Sequence, residues 1–133
     1  MNRNAVEKTH KEELTIMTAA EQNLILQIEK QYGQSVWMDN LSRDIIRSGE
    51  LKRLTEERGI HGITSNPTIF EKAIAGNQIY DADIEAGIKE GKSVQAIYES
   101  LVFEDIREAC DILRPIYDET DGLDGYVSIE VPP

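Results

Sequence analysis

Three polar residues stand where buried strands ought to be apolar. Asp39 sits in the short apolar run 35–41, Asn66 directly after the run 60–65, and Glu130 in the run 126–131. Two carboxylates can divide proton transfers between them, because a shared charged site pushes their pKa values apart. A carboxamide beside them can hold a hydroxyl or carbonyl in place. Burying a carboxylate without a partner costs several kcal/mol, so carboxylates in such runs need a reason. In parallel β/α sheets the carboxyl ends of the strands open onto one mouth. Polar residues at equivalent places on successive strands would therefore meet there. Each also has a plainer reading. Asp39 could cap the next helix or pair with Arg43, Asn66-Pro67 is a common helix start, and Glu130 could be an exposed strand end.

The elements that would position them follow from pattern. Leu24, Ile25, Ile28 and Tyr32 form a helical stripe that Gly33 would stop, and Thr18 with Glu21 has capping-box spacing. The residues before that, 1–19, show no apolar period and read as a loose leader. After the first strand, Ser42 is placed to cap a turn with Ile45 and Ile46 inward. Gly49 breaks that turn, and a second short helix ends at Gly59. Past Asn66-Pro67 come a helix, another around 80–89, and a long one. The long helix starts at Ser93, after which Val94, Ile97, Tyr98, Leu101, Val102, Ile106, Ala109, Cys110 and Leu113 recur at helical spacing, with its end expected near Pro115. Strands separated by helices imply a parallel sheet. The expected fold is α/β, an incomplete (β/α)₈ barrel of about three strands with long helices, residues 20–133 forming its amino-terminal portion. A closed barrel takes about 250 residues, and the chain has 133.

Composition narrows the function classes. A net charge of −11 opposes nucleic acid backbones and anionic membrane surfaces, so neither is an expected partner. No 18-residue apolar run exists, and residues 1–20 lack the apolar core of a secretory signal, so the cytoplasm is the expected compartment. One cysteine, Cys110, excludes an intrachain disulfide, and with only His10 and His61 a structural zinc site is not expected. Cys110, Trp37 and Tyr126 read as packing residues. His61 reads as a satisfied core or interface histidine.

Three motifs then coincide with a known family. Residues 35–43 (SVWMDNLSR), 62–70 (GITSNPTIF) and 124–131 (DGYVSIEV) resemble the first three strand regions of transaldolases. The second motif is the most specific. The resemblance implies transfer of a dihydroxyacetone unit from sedoheptulose 7-phosphate to glyceraldehyde 3-phosphate in the pentose phosphate pathway, giving erythrose 4-phosphate and fructose 6-phosphate. It implies a lysine Schiff base and no metal or organic cofactor. It makes Asp39 and Glu130 the acid/base groups and places Asn66, with Thr64 and Ser65 beside it, against the substrate. The family's lysine lies on a fourth strand. None of Lys8, Lys11, Lys30, Lys52, Lys72, Lys89 and Lys92 falls in an apolar strand, so the chain is expected to be a fragment that is inactive alone. The alternatives are a shortened paralogue acting as a binding or interaction module and a related Schiff-base aldolase; a homo-oligomer, or pairing of the open sheet edge with another chain, is the expected form of any protein partner.

Overall fold

A computed structural model of the chain describes residues 23–130. The 1–19 leader, the Thr18–Glu21 capping box and Val131 lie outside them. Helix α1 (Leu24–Tyr32) starts at Asn23, whose Oδ1 accepts from the Ile25 N–H at 3.0 Å, and ends at Gly33. Strand β1 (Val36–Asp39) follows, then α2 (Arg43–Arg47) and α3 (Glu50–Arg58) on either side of Gly49. Strand β2 (Ile60–Ser65) leads into α4 (Pro67–Ala75), a 3₁₀ turn (Gln78–Tyr80), α5 (Asp81–Lys89), α6 (Val94–Glu119) and β3 (Tyr126–Ile129). The sheet has the order β1-β2-β3 and both pairings are parallel. The chain thus alternates strands and helices as its apolar periods require.

The helices pack on one face of the sheet. Met38, Ile63 and Val127 point into a core built on Leu41, Leu51, Phe70, Val102, Ala109 and Leu113. Side chains alternate across a strand, so Trp37, Asp39, Thr64, Tyr126 and Ser128 occupy the opposite, open face. Register aligns them in layers: Trp37, Gly62 and Tyr126 in one row, Asp39, Thr64 and Ser128 in the next. Such rows are how barrel interiors are filled. Gly62 has no side chain because Trp37 occupies the space: a Cβ there would lie 2.3 Å from the indole.

Several elements depart from pattern. α6 runs through Pro115 to Glu119. Pro115 and Asp111, whose carbonyl loses its helical donor, are both exposed, so the orphaned carbonyl is open to solvent and the helix can continue. Arg114 braces this turn by donating to Asp118 at 3.1 Å, and Tyr117 meets Tyr126 edge-on at 5.5 Å. Cys110 is exposed and does not pack in the core, because Ala109 and Leu113 carry the buried stripe. Ser42 holds the cap position of α2 without a side-chain cap bond. Trp37 and Tyr126 pack on one side only and stay 38% and 44% exposed. Among the described residues no helix is long and apolar enough to cross a membrane.

Two stability predictions arise here. Gly125 has φ +85°, and a Cβ on it would meet the Tyr117 backbone nitrogen at 2.5 Å. Gly125→Ala should destabilise by about 2–4 kcal/mol, combining left-handed strain with overpacking, read as a lower urea midpoint. On the surface, Arg47 Nη2 donates to Glu108 Oε1 at 2.7 Å. That hydrogen bond holds the Glu108 carboxyl below its ordinary value. Its contribution is complete above the ordinary glutamate range and is lost as pH falls through the lowered folded-state value. Glu108→Gln should cost about 0.5 kcal/mol near neutrality, and urea titrations of the two proteins should converge in acid.

Candidate active site at the carboxyl ends of the strands

Asp39 is the last residue of β1, and its Oδ1 accepts from the Thr64 hydroxyl at 2.6 Å across the ladder. The expected Arg43 partner is absent. Arg43 lies behind the sheet among the helices, while Asp39 is on the open face. Thr64 instead orients the carboxylate, whose other oxygen bonds to no described residue. Asp39 is exposed.

Asn66 continues β2 in an extended conformation (φ −146°, ψ 167°), which keeps it on the Thr64 face. Its Oδ1 accepts from the Ile69 N–H at 3.0 Å and caps α4, so the helix-start reading is correct. That bond uses only the oxygen and fixes the carboxamide plane, and the NH₂ donates to no described residue. The cap and a role toward a ligand are therefore compatible. Glu130 follows β3, and its N–H donates to the Ser65 carbonyl at 3.2 Å, extending the same register. Glu130 thus falls beside Asn66, one row beyond Asp39 and Thr64. Its carboxylate is exposed and pairs with no described cation.

Ser65 is placed differently. It is 4% exposed, faces the helices, and donates its hydroxyl to the Ser128 carbonyl at 2.9 Å. It ties β2 to β3 behind the site and is not brought to the open face. Ser128, not singled out from sequence, does reach that face, in the Asp39–Thr64 row. Only the inter-strand register reveals it, and a serine in a short strand carries no such signal. A hollow of about 430 Å³ beside the β1–α2 turn is lined by Asn40, Ser42, Lys72 and Asn77 and by none of these six residues.

The register thus aligns two carboxylates, an amide and two hydroxyls in two adjacent rows, with Glu130, at the exposed strand end, also bordering the groove between β3 and α6. That set can take and return protons and hold hydroxyls, but among the described residues it includes no amine that could form an imine. The described lysines, Lys30, Lys52, Lys72, Lys89 and Lys92, are all exposed on helices or turns. His61 is likewise uninvolved. Its Nδ1 lies 3.3 Å from Glu29 and 3.5 Å from Asp124, joining α1 to the turn before β3, as an interface histidine would.

Residues 36–133, which include every group on this face, match the family model described as transaldolase/fructose-6-phosphate aldolase. The chain belongs to that family. Among individual transaldolases, "Transaldolase 2" of Nostoc punctiforme is 72% identical over 111 residues, covering 84% of this chain and 29% of that protein. The Trichodesmium erythraeum transaldolase is 73% identical with the same coverage. That of Thiobacillus denitrificans is 48% identical over 101 residues, 76% of this chain and 28% of its own length. The chain spans less than a third of the length of these curated transaldolases. Its parallel sheet, with helices on one face and polar residues on the other, is the corresponding part of the family's barrel.

Proposed function

We propose that this chain supplies the acid/base and hydrogen-bonding half of a transaldolase site. The carrying observation is the Asp39–Thr64 pair on the open face, with Asn66 and Glu130 one row beyond it. In this reading the imine-forming lysine comes from a part of the relatives' fold that the chain does not span. The substrates are ketose and aldose phosphates, and the compartment is the cytoplasm, where charged sugar phosphates are retained. The names of the relatives favour transfer over simple aldol cleavage.

The chemistry assigns each group a task. A protonated imine at the ketose carbonyl carbon is the electron sink. Asp39 takes the proton from the hydroxyl on the carbon that leaves, the adjacent C–C bond breaks, and its electrons pass into the enamine. The same carboxylic acid returns the proton when the acceptor aldehyde is attacked. Asn66 donates to a hydroxyl of the retained three-carbon unit, with Thr64 and Ser128 below it. Glu130 carries protons through a water during carbinolamine dehydration and hydrolysis. Ser65 supports the site from behind. The free edge of β3, and the groove of about 450 Å³ beside it lined by Phe70, Tyr98, Val102, Phe103, Ile129 and, at its rim, Glu130, fit a further strand and helix of the same barrel.

The test is a chimera in which the 111 matched residues of this chain replace their counterpart in the Nostoc punctiforme protein. Transfer from fructose 6-phosphate to erythrose 4-phosphate, at a rate near that of the parent, is expected. A folded chimera without transfer overturns the reading.

A further inference from the structure

Behind the sheet lies a polar knot that the proposed chemistry does not touch. Arg43, four residues past Asp39, is fully buried. Its Nε donates to Asp105 Oδ1 at 2.7 Å, its Nη2 to Glu104 at 3.2 Å, and its Nη1 to Asp83. Tyr80 closes the knot. Its hydroxyl accepts from the Arg43 backbone N–H at 2.7 Å and donates to Asp105 Oδ2 at 2.7 Å. The guanidinium carbon stands 4.7 Å from the Tyr80 ring centroid. Burial raises the Tyr80 phenol, which keeps its proton. Burial alone would lower Arg43, but its carboxylate partners, Asp105 foremost, raise it and it stays charged.

Buried ion pairs add little net stability over packed apolar side chains, and the best-attested use for them is to select one arrangement. The element fixed here is the β1–α2 connection. Among the described residues β1 pairs only with β2, along four residues and with an irregular register at Val36 and Trp37. The strand end that carries Asp39 is therefore held on one side by the ladder. Leu41 and the Arg43 knot hold it from behind, through α6 and the 3₁₀ turn. We propose that Arg43, Tyr80 and Asp105 are positioning residues that set Asp39 at the distance proton transfer requires, a role that rests on the functional reading above. A general base must come within about 2.6–3.2 Å of the atom it deprotonates, and a misplacement of ~1 Å can cost 10²-fold.

Removing Arg43 outright endangers folding, so the informative variant is Tyr80→Phe, which deletes one oxygen, examined in the chimera. Active sites are counted by borohydride trapping with fructose 6-phosphate, and turnover is expressed per trapped site. The expected result is a kcat per site lowered at least tenfold, with KM and the trapped fraction near those of the unsubstituted chimera. Arg43→Lys, which keeps the charge and loses the planar fork, should move in the same direction. A kcat per trapped site equal to that of the unsubstituted chimera, with only the number of sites reduced, would show that the knot is merely structural and overturn the inference. An unsubstituted chimera that traps substrate but transfers nothing overturns the functional reading itself, and this inference with it.

Discussion

Asp39→Asn in the chimera is expected to lower kcat for transfer by about 10²–10⁴-fold, the usual worth of a positioned general base. Asparagine keeps the oxygen that accepts from Thr64 at 2.6 Å, so side-chain shape and the cross-strand bond survive. What is lost is the ability to take a proton from the departing carbon's hydroxyl. Imine formation precedes that step, so borohydride trapping with fructose 6-phosphate should be retained and the trapped species should accumulate. Single-turnover kinetics on the variant checks both. A kcat within threefold of the unsubstituted chimera would remove Asp39 from the proton path and leave it a ladder residue.

Arg43→Met should be the most destabilising single substitution in the helix layer, by about 3–5 kcal/mol. It leaves Asp105, whose side chain is 1% exposed, without its cation, and orphans a buried charge. Burial already pushes the Asp105 carboxyl up, against the Arg43 and Tyr80 hydrogen bonds that pull it down. With Arg43 gone the protein should gain stability in mild acid, where Asp105 protonates in the folded state before the unfolded one. The double variant Arg43→Met/Asp105→Leu should recover most of the loss, since an apolar replacement of the whole pair avoids the orphaned charge. Urea midpoints of the chimera for the single and double variants decide this. A single-variant loss under 1 kcal/mol would mean that the β1–α2 connection is held by Leu41 alone.

Much of this architecture is legible in the residues themselves. β2 is bounded by Gly59 and by Asn66-Pro67, and its apolar run gives its limits to the residue. α6 announces itself through Ser93, whose hydroxyl accepts from the Ala96 N–H at 3.2 Å, and through its apolar period. Asp39, Asn66 and Glu130 stand out because they interrupt or end apolar runs. The Arg43 knot is not legible. An arginine between Ser42 and Asp44 in a short helix reads as surface, and its partners Asp83, Glu104 and Asp105 are 40 to 62 residues away. Ser128 and Ser65 cannot be sorted by type. Both are serines in strands, and only the register puts one on the open face and the other behind it. Cys110 misleads because a shift of one residue from Ala109 turns it toward solvent. The extension of α6 past Pro115 depends on exposure of the orphaned carbonyl, which the proline does not encode.

The most direct test is where the imine forms. The chain and the chimera are each incubated with fructose 6-phosphate, reduced with borohydride, digested and mapped by mass spectrometry. The account predicts no adduct on the 133-residue chain, and in the chimera one adduct on a lysine outside the transplanted segment. An adduct on Lys30, Lys52, Lys72, Lys89 or Lys92 would contradict it, because the chain would then carry its own nucleophile and Asp39, Asn66 and Glu130 would not be the supporting half of a larger site.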